Sequence, residues 1–197
     1  MSNLAQQIEF ILELDNLKTV KRMTVVKGDG NRQENSAEHS WHIALVAQSF
    51  AEYAKPSVDL NRVIAMLLIH DVVEIDAGDM FAFAQQENHA QQEQKEIAAA
   101  ERLFGLLPAH QGEKLKALWF EFEAAETDDA QFAKGMDRIL PVFQNMSNGG
   151  GSWLKHSVSK SQVVQRNLFL KTSAPELWQY VLEQIDLAVE KDWLKDL

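Results

Sequence analysis

No cysteine occurs in the 197 residues. That absence removes disulfides, thiol nucleophiles, thiolate zinc sites and iron–sulfur clusters together, and it fits a reducing compartment, so the cytoplasm is the expected location. Any metal must be held by His, Asp or Glu. Glycine (9) and proline (4) are scarce, so breakers of regular structure are few. Long apolar runs are missing as well: the longest, residues 63–69, falls far short of the roughly 18 residues that a membrane span requires. The first residues carry no apolar stretch of signal-peptide length and no Lys or Arg before Lys18, and no membrane partner is expected. Positive charge is short too. Nineteen Lys and Arg against 29 Asp and Glu give a net charge of -10, which repels a phosphate backbone and argues against nucleic acid as a partner. An acidic chain that handles phosphates needs a cation.

What remains is a globular composition, 46% hydrophobic and 24% charged, in a length that suits one domain, residues 1–197. Apolar residues recur at helical spacing: Ile8, Ile11 and Leu12; Ile43, Val46 and Phe50; Ile64, Leu67 and Leu68; Ile139, Leu140 and Phe143; Leu177, Val181 and Ile185. No stretch alternates with period two, so the spacing predicts an all-α chain of six to eight helices and no sheet. Asn35 with Glu38, and Ser173 with Glu176, read as capping boxes, and Gly149 to Gly151 as a loop. The Gln/Glu-rich stretch from Gln85 to Gln94 has the composition of a solvated helix or a lid. From Lys18 to Arg32 the charge balance reverses, giving one basic island that reads either as a solvated loop or as a phosphate contact.

The residues that carry chemistry are His39, the pair His70-Asp71, and Asp137. His39 falls in the first turn of the helix whose stripe runs through Ile43, Val46 and Phe50, which points its imidazole inward. Asp71, four residues after Leu67 and seven after Ile64, belongs to the inner stripe of the next helix. A carboxylate there needs a partner, because burying an unpaired charge is expensive. His70 beside it and His39 from the neighbouring helix supply imidazoles for a shared cation, the mixture of N and O ligands that divalent transition metals accept. Asp137 precedes Pro141 by four residues, and that proline lacks the N–H that would bond the Asp137 carbonyl, so a kink is expected there. His42, three residues from His39, suits the ligand position by spacing alone. His89, His110 and His156 read as surface or loop positions.

Taken with ENSAEHS, HDVVEIDAGD, ETDDAQFAKGMDRI, GGGSW and QRN, this ordered set resembles the HD-domain metal-dependent phosphohydrolases, in particular their bacterial 5′-deoxynucleotidase-like branch, from about Leu17 to Trp193. The resemblance implies an HD-domain helical bundle binding one divalent ion (Mn, Co, Fe, Ni, Zn or Mg) through His39, His70, Asp71 and Asp137. It implies Glu74 and Asp79 as catalytic groups beside water and substrate, with Arg22 and Asp79 contacting the substrate. Arg22 is followed in those nucleotidases by Trp; here Met23 follows, a departure that bears on selectivity for deoxyribonucleotides. Glu74 is also four residues from His70, which places the two on one helix face. The expected activity is hydrolysis of a nucleoside or deoxynucleoside 5′-monophosphate, and the expected assembly is a homodimer. A nucleotide-binding regulatory module, or hydrolysis of a cyclic nucleotide or a nucleoside triphosphate, are the alternatives that the same motifs allow.

Overall fold

The computed structural model describes residues 1–83 and 86–197, without the side chains of residues 86–89. Helix α1 (Asn3–Glu13) leads through a 3-10 turn, Leu14–Thr19, into strand β1 (Lys21–Val26) and strand β2 (Arg32–Asn35). Next come α2 (Ser36–Ser49), α3 (Leu60–Ile69), α4 (Glu74–Ala77), α5 (Gln86–Phe104), α6 (Ala109–Ala124), α7 (Asp128–Ser147), α8 (Gly151–His156), α9 (Lys160–Arg166), α10 (Leu170–Ser173) and α11 (Pro175–Glu190). Among the described residues, seven of these helices have ten residues or more and the others span one or two turns.

The expectation of no sheet is corrected. β1 and β2 form an antiparallel hairpin with Lys21 opposite Asn35 and Val26 opposite Arg32, closed through Gly30 and Asn31 at φ 60° and 61°. Apolar alternation is absent because the inward face of the ribbon is polar: Thr24 and Glu34 are buried, and the Thr24 hydroxyl donates to Glu34 at 2.7 Å. A search for alternating hydrophobics cannot see a strand that buries charge.

Two apolar clusters hold the helices. The larger brings Ile43 of α2, Met66 and Leu67 of α3, Phe132, Met136 and Ile139 of α7 and Ile185 of α11 into one core. The smaller ties α1 and the 3-10 turn to α5 and α6 through Phe10, Leu17, Leu103, Phe104 and Trp119. Helix α7 continues past Pro141, which has no N–H to donate to the Asp137 carbonyl, and Asn145 Nδ2 donates to the Pro141 carbonyl at 2.7 Å. Ser173 does not cap α11. Its hydroxyl donates back to the Phe169 carbonyl, and Ala174 takes the cap position before Pro175. Of the Gln/Glu-rich stretch, Gln85 and the side chains through His89 lie outside the described residues; beyond them Gln92 is buried and donates to the Gly78 carbonyl at 2.8 Å.

The start of α2 fixes where His39 emerges. Asn35 Oδ1 accepts from the Glu38 N–H at 3.0 Å while Glu38 accepts from the Asn35 N–H at 2.7 Å, a complete capping box one residue before His39. It satisfies two donors that the helix itself cannot. Asn35→Ala should lower stability by about 1 kcal/mol. A chemical-denaturation midpoint that does not move would show that the turn is held by the hairpin instead.

Candidate metal centre

Three helices deliver the central side chains. His39, from the first turn of α2, is fully buried; its Nε2 lies 3.0 Å from Asp137 Oδ1 and its Nδ1 3.3 Å from Glu34 Oε2. His70, at the C-cap of α3, has Nδ1 2.9 Å from the Leu67 carbonyl. A carbonyl only accepts, so Nδ1 carries the proton and Nε2 is the atom left to face the centre. That Nε2 is buried without a hydrogen-bond partner, although Asp71 Oδ1 is 2.9 Å and Asp137 Oδ1 3.7 Å away. Ligand atoms of His39, His70 and Asp137 all lie within 4.8 Å of one another. An orphaned imidazole nitrogen, a second imidazole and a carboxylate facing one point fit a divalent cation of the borderline type. Asp71, the fourth residue expected there, stands beside this trio with its Oδ2 accepting from Arg22 Nη1 at 2.8 Å.

The two remaining carboxylates differ from these. Helix α3 stops at Ile69 and a turn covers residues 70–73, so Glu74 opens a new helix instead of sharing one with His70. It is buried, and the Ser36 hydroxyl donates to its Oε2. Asp79 follows Gly78, whose φ of 74° suits glycine, and lies 3.8 Å from Arg22 Nη1. Burial, with Asp71 adding repulsion, raises the Glu74 carboxyl well above its ordinary range. Burial likewise pushes Asp79 up to about 6 against the pull of Arg22. For Asp137 burial is outweighed by hydrogen bonds and charge from His39 and His70, which hold it well below the usual carboxylate range. For His70 burial is outweighed by Asp71 and Asp137, raising the imidazole to about 10. The cluster thus separates carboxylates held below their ordinary range, such as Asp137, from carboxylates raised above it, Glu74 and Asp79.

Several participants were not visible in the sequence. Glu34 sits in a short polar strand with no motif around it, yet it is buried, accepts from Thr24 and from Gln144 Nε2 at 2.8 Å, and has its Oε2 3.3 Å from His39 Nδ1. A carboxylate behind a metal-facing imidazole is a common way to fix its ring. A cavity of about 150 Å³ opens beside the cluster, lined by Arg22, Met23, Asp71, Glu74, Asp79 and Asp137, and also by Arg138 and Arg166. The basic island is neutralised locally only in part. Lys18 pairs with Asp15, Arg32 with Asp29 and Glu38, and only Arg22 turns inward. His110 and His156 are exposed, His42 is partly buried beside Trp41, and the His89 side chain lies outside the described residues.

A family model described as HD domain matches residues 14–178. The crystal structure of a predicted metal-dependent phosphohydrolase from Magnetospirillum magnetotacticum superimposes with a TM-score of 0.93 and 44% identity, covering 98% of this chain and 96% of that one. The 5′-deoxynucleotidase HDDC2 of Homo sapiens is 25% identical over 179 residues, 89% of this chain and 83% of its own. The 5′-deoxynucleotidase yfbR of Photorhabdus temperata is 27% identical over 154 residues, 73% of this chain and 77% of its own.

Protonation of His70 sets the sign of metal binding. The imidazole is raised above its ordinary value, so its charge stabilises the metal-free fold fully below pH 6.5, and that contribution is lost as pH rises to about 10. An ion must displace the proton. Adding divalent metal to metal-free protein at pH 8 should therefore release about one proton, read by a pH indicator, with affinity rising toward alkaline pH. Uptake without proton release would mean that His70 is not a ligand.

Proposed function

The chain belongs to the HD domain family, and from that premise we propose that it is a metal-dependent phosphohydrolase acting on nucleoside and deoxynucleoside 5′-monophosphates. The observation that carries this reading is the cavity itself. It places Arg22 and the carboxylates Glu74 and Asp79 directly beside the His39, His70 and Asp137 trio. The names of the matched nucleotidases point to the same substrate class.

His39, His70, Asp71 and Asp137 hold one divalent ion in this reading. Such an ion neutralises phosphoryl oxygens and makes water nucleophilic near neutral pH. Arg22, already inside the cavity with its guanidinium flanked by Asp71 and Asp79, offers a planar fork of donors to the equatorial phosphoryl oxygens. Glu74, held by the Ser36 hydroxyl, takes or delivers the proton, and Asp79 contacts the substrate. Met23 lines the cavity where the resembled nucleotidases have Trp. A thinner side chain leaves room for a ribose hydroxyl, so both sugars are admitted. A homodimer is part of the same proposal: Leu4, Ile8, Ile11 and Leu12 of α1 are all exposed, an apolar stripe that a second copy would cover. Among the described residues no helix is long and apolar enough to cross a membrane.

The test is phosphate release from the common nucleoside 5′-monophosphates with each of several divalent ions. No release from any would sink the proposal. Within it, Glu74→Gln keeps shape and hydrogen bonding but cannot ionise, so metal content should persist while kcat falls by roughly two to four orders of magnitude. Unchanged turnover would move the proton to Asp79 or to water. Arg22→Ala should lower kcat/KM at least about tenfold, with Arg22→Lys recovering only part because a point charge does not reproduce the fork. Equal rates in all three proteins would remove Arg22 from the substrate.

A further inference from the structure

Arg22 is not a free cation of this cavity. Its Nη1 donates to Asp71, and Glu34, Asp79 and Asp137 all lie within 3.9 Å of its guanidinium nitrogens. Two other arginines reach the same space: Arg138, the residue after Asp137 on α7, and Arg166, in the last turn of α9. Among the described residues neither is ion-paired with a carboxylate.

Arg138 is nonetheless fixed. Its Nη1 donates to the Arg166 carbonyl at 3.0 Å, its guanidinium carbon sits 4.5 Å from the centre of the Phe169 ring, and its buried Nε has no partner. Stacking and a backbone carbonyl set the plane of the group without neutralising it. Beside it, the neighbouring Asn167 anchors its Nδ2 on the Val163 carbonyl and leaves a buried Oδ1 unpartnered. Two adjacent guanidinium groups repel, and withdrawing them from water costs more, so the pair is costly until an anion arrives.

The position of the pair says which anion. Arg138 and Arg166 line the cavity beside the metal centre and also the open groove outside it, with Ala82, Ser161, Gln162 and Gln165. A ligand that sets one phosphoryl group among His39, His70 and Arg22 passes these arginines on its way to solvent. Inside, the cations already have their counter-charges. At the threshold neither arginine makes an ion pair among the described residues, although Asp137 is near enough to act on both.

We propose that Arg138 and Arg166 form a second anion seat, so that the preferred substrate is a phosphomonoester bearing another phosphate, for a nucleotide a nucleoside 3′,5′-bisphosphate. The inference deepens the phosphohydrolase reading for the identity of the reacting group, but the seat itself does not require turnover. Water attacks the 5′-phosphoryl group, its P–O ester bond breaks, inorganic phosphate leaves, and the leaving oxygen is protonated to the 5′-hydroxyl. The second phosphate stays on the product.

The probes are the 3′,5′-bisphosphates of thymidine and adenosine against the matching 5′-monophosphates, measured as kcat/KM on metal-loaded protein and as calorimetric binding to metal-free protein. In the wild type at least one bisphosphate should exceed its monophosphate about tenfold or more in both readouts. Arg166→Gln should bring that ratio to within about threefold, and Arg166→Lys should keep a measurable part of it, which also shows that the fold tolerates change at this position. A wild type without a bisphosphate advantage, an advantage that survives Arg166→Gln, or a loss of the same size for both substrates would overturn the seat. The two proposals fail separately. Bisphosphate binding that depends on Arg166 with no ester hydrolysed would leave the seat and remove the phosphohydrolase. Hydrolysis of monophosphates with no bisphosphate advantage would do the reverse.

Discussion

Asp137 is the point on which the architecture closes. Its Oδ1 lies 3.0 Å from His39 Nε2 and 3.7 Å from His70 Nε2, so one carboxylate oxygen ties α7 to the start of α2 and the end of α3. These are also the helices whose Ile43, Met66, Leu67, Met136 and Ile139 make the largest core. The apolar contacts supply most of the favourable free energy of bringing the helices together, whereas the polar contact specifies their register, because a shifted helix would strand a buried charge. Trp119 reinforces the arrangement from the other cluster, donating to the His70 carbonyl at 3.1 Å.

Around that point the fold packs more carboxylates than it has local cations, and the outcome is a division of labour. Asp71 is driven to about 2, with His70 and Arg22 overcoming its burial. Glu34 reaches about 2 in the same way through His39, Thr24 and Gln144. Glu74 and Asp79 lack comparable partners, so burial dominates and both move up. Neighbouring acids whose environments push them apart are the usual route to separate charge-holding and proton-carrying roles in one site. Here the separation follows from where Arg22 enters: the hairpin aims it at Asp71, 2.8 Å away, and leaves Asp79 at 3.8 Å.

The hairpin also shows where the sequence was readable and where it was not. His39 could be placed because its cap, Asn35 with Glu38, is local, and because the stripe behind it is apolar. His70 and Asp71 could be placed because they end a helix of regular period. The ribbon of residues 21–35 could not, since Thr24 and Glu34 occupy its inward positions and period-two alternation of apolar residues never develops. Glu74 was assigned to the His70 helix on spacing alone, yet the chain leaves α3 at Ile69 and restarts at Glu74. The turn between them is what lets His70, Asp71 and Glu74 all face one centre.

Charge was misplaced for a related reason. In the sequence the only concentration of positive residues is Lys18 to Arg32, which made that island the natural source of attraction for a phosphate in a chain of net charge -10. Folding commits most of it to Asp15, Asp29, Glu38 and Asp71. Two single arginines, 28 residues apart, are brought to one cavity by α7 and α9, where Arg138 Nη1 donates to the Arg166 carbonyl. Neither stands out in composition, because a charge pattern read along the chain finds clusters in sequence, and a binding pocket needs clusters in space. Two of the basic side chains without an ion pair among the described residues, Arg138 and Arg166, lie at the mouth of the cavity beside Asp137, a position that the sequence order alone does not reveal.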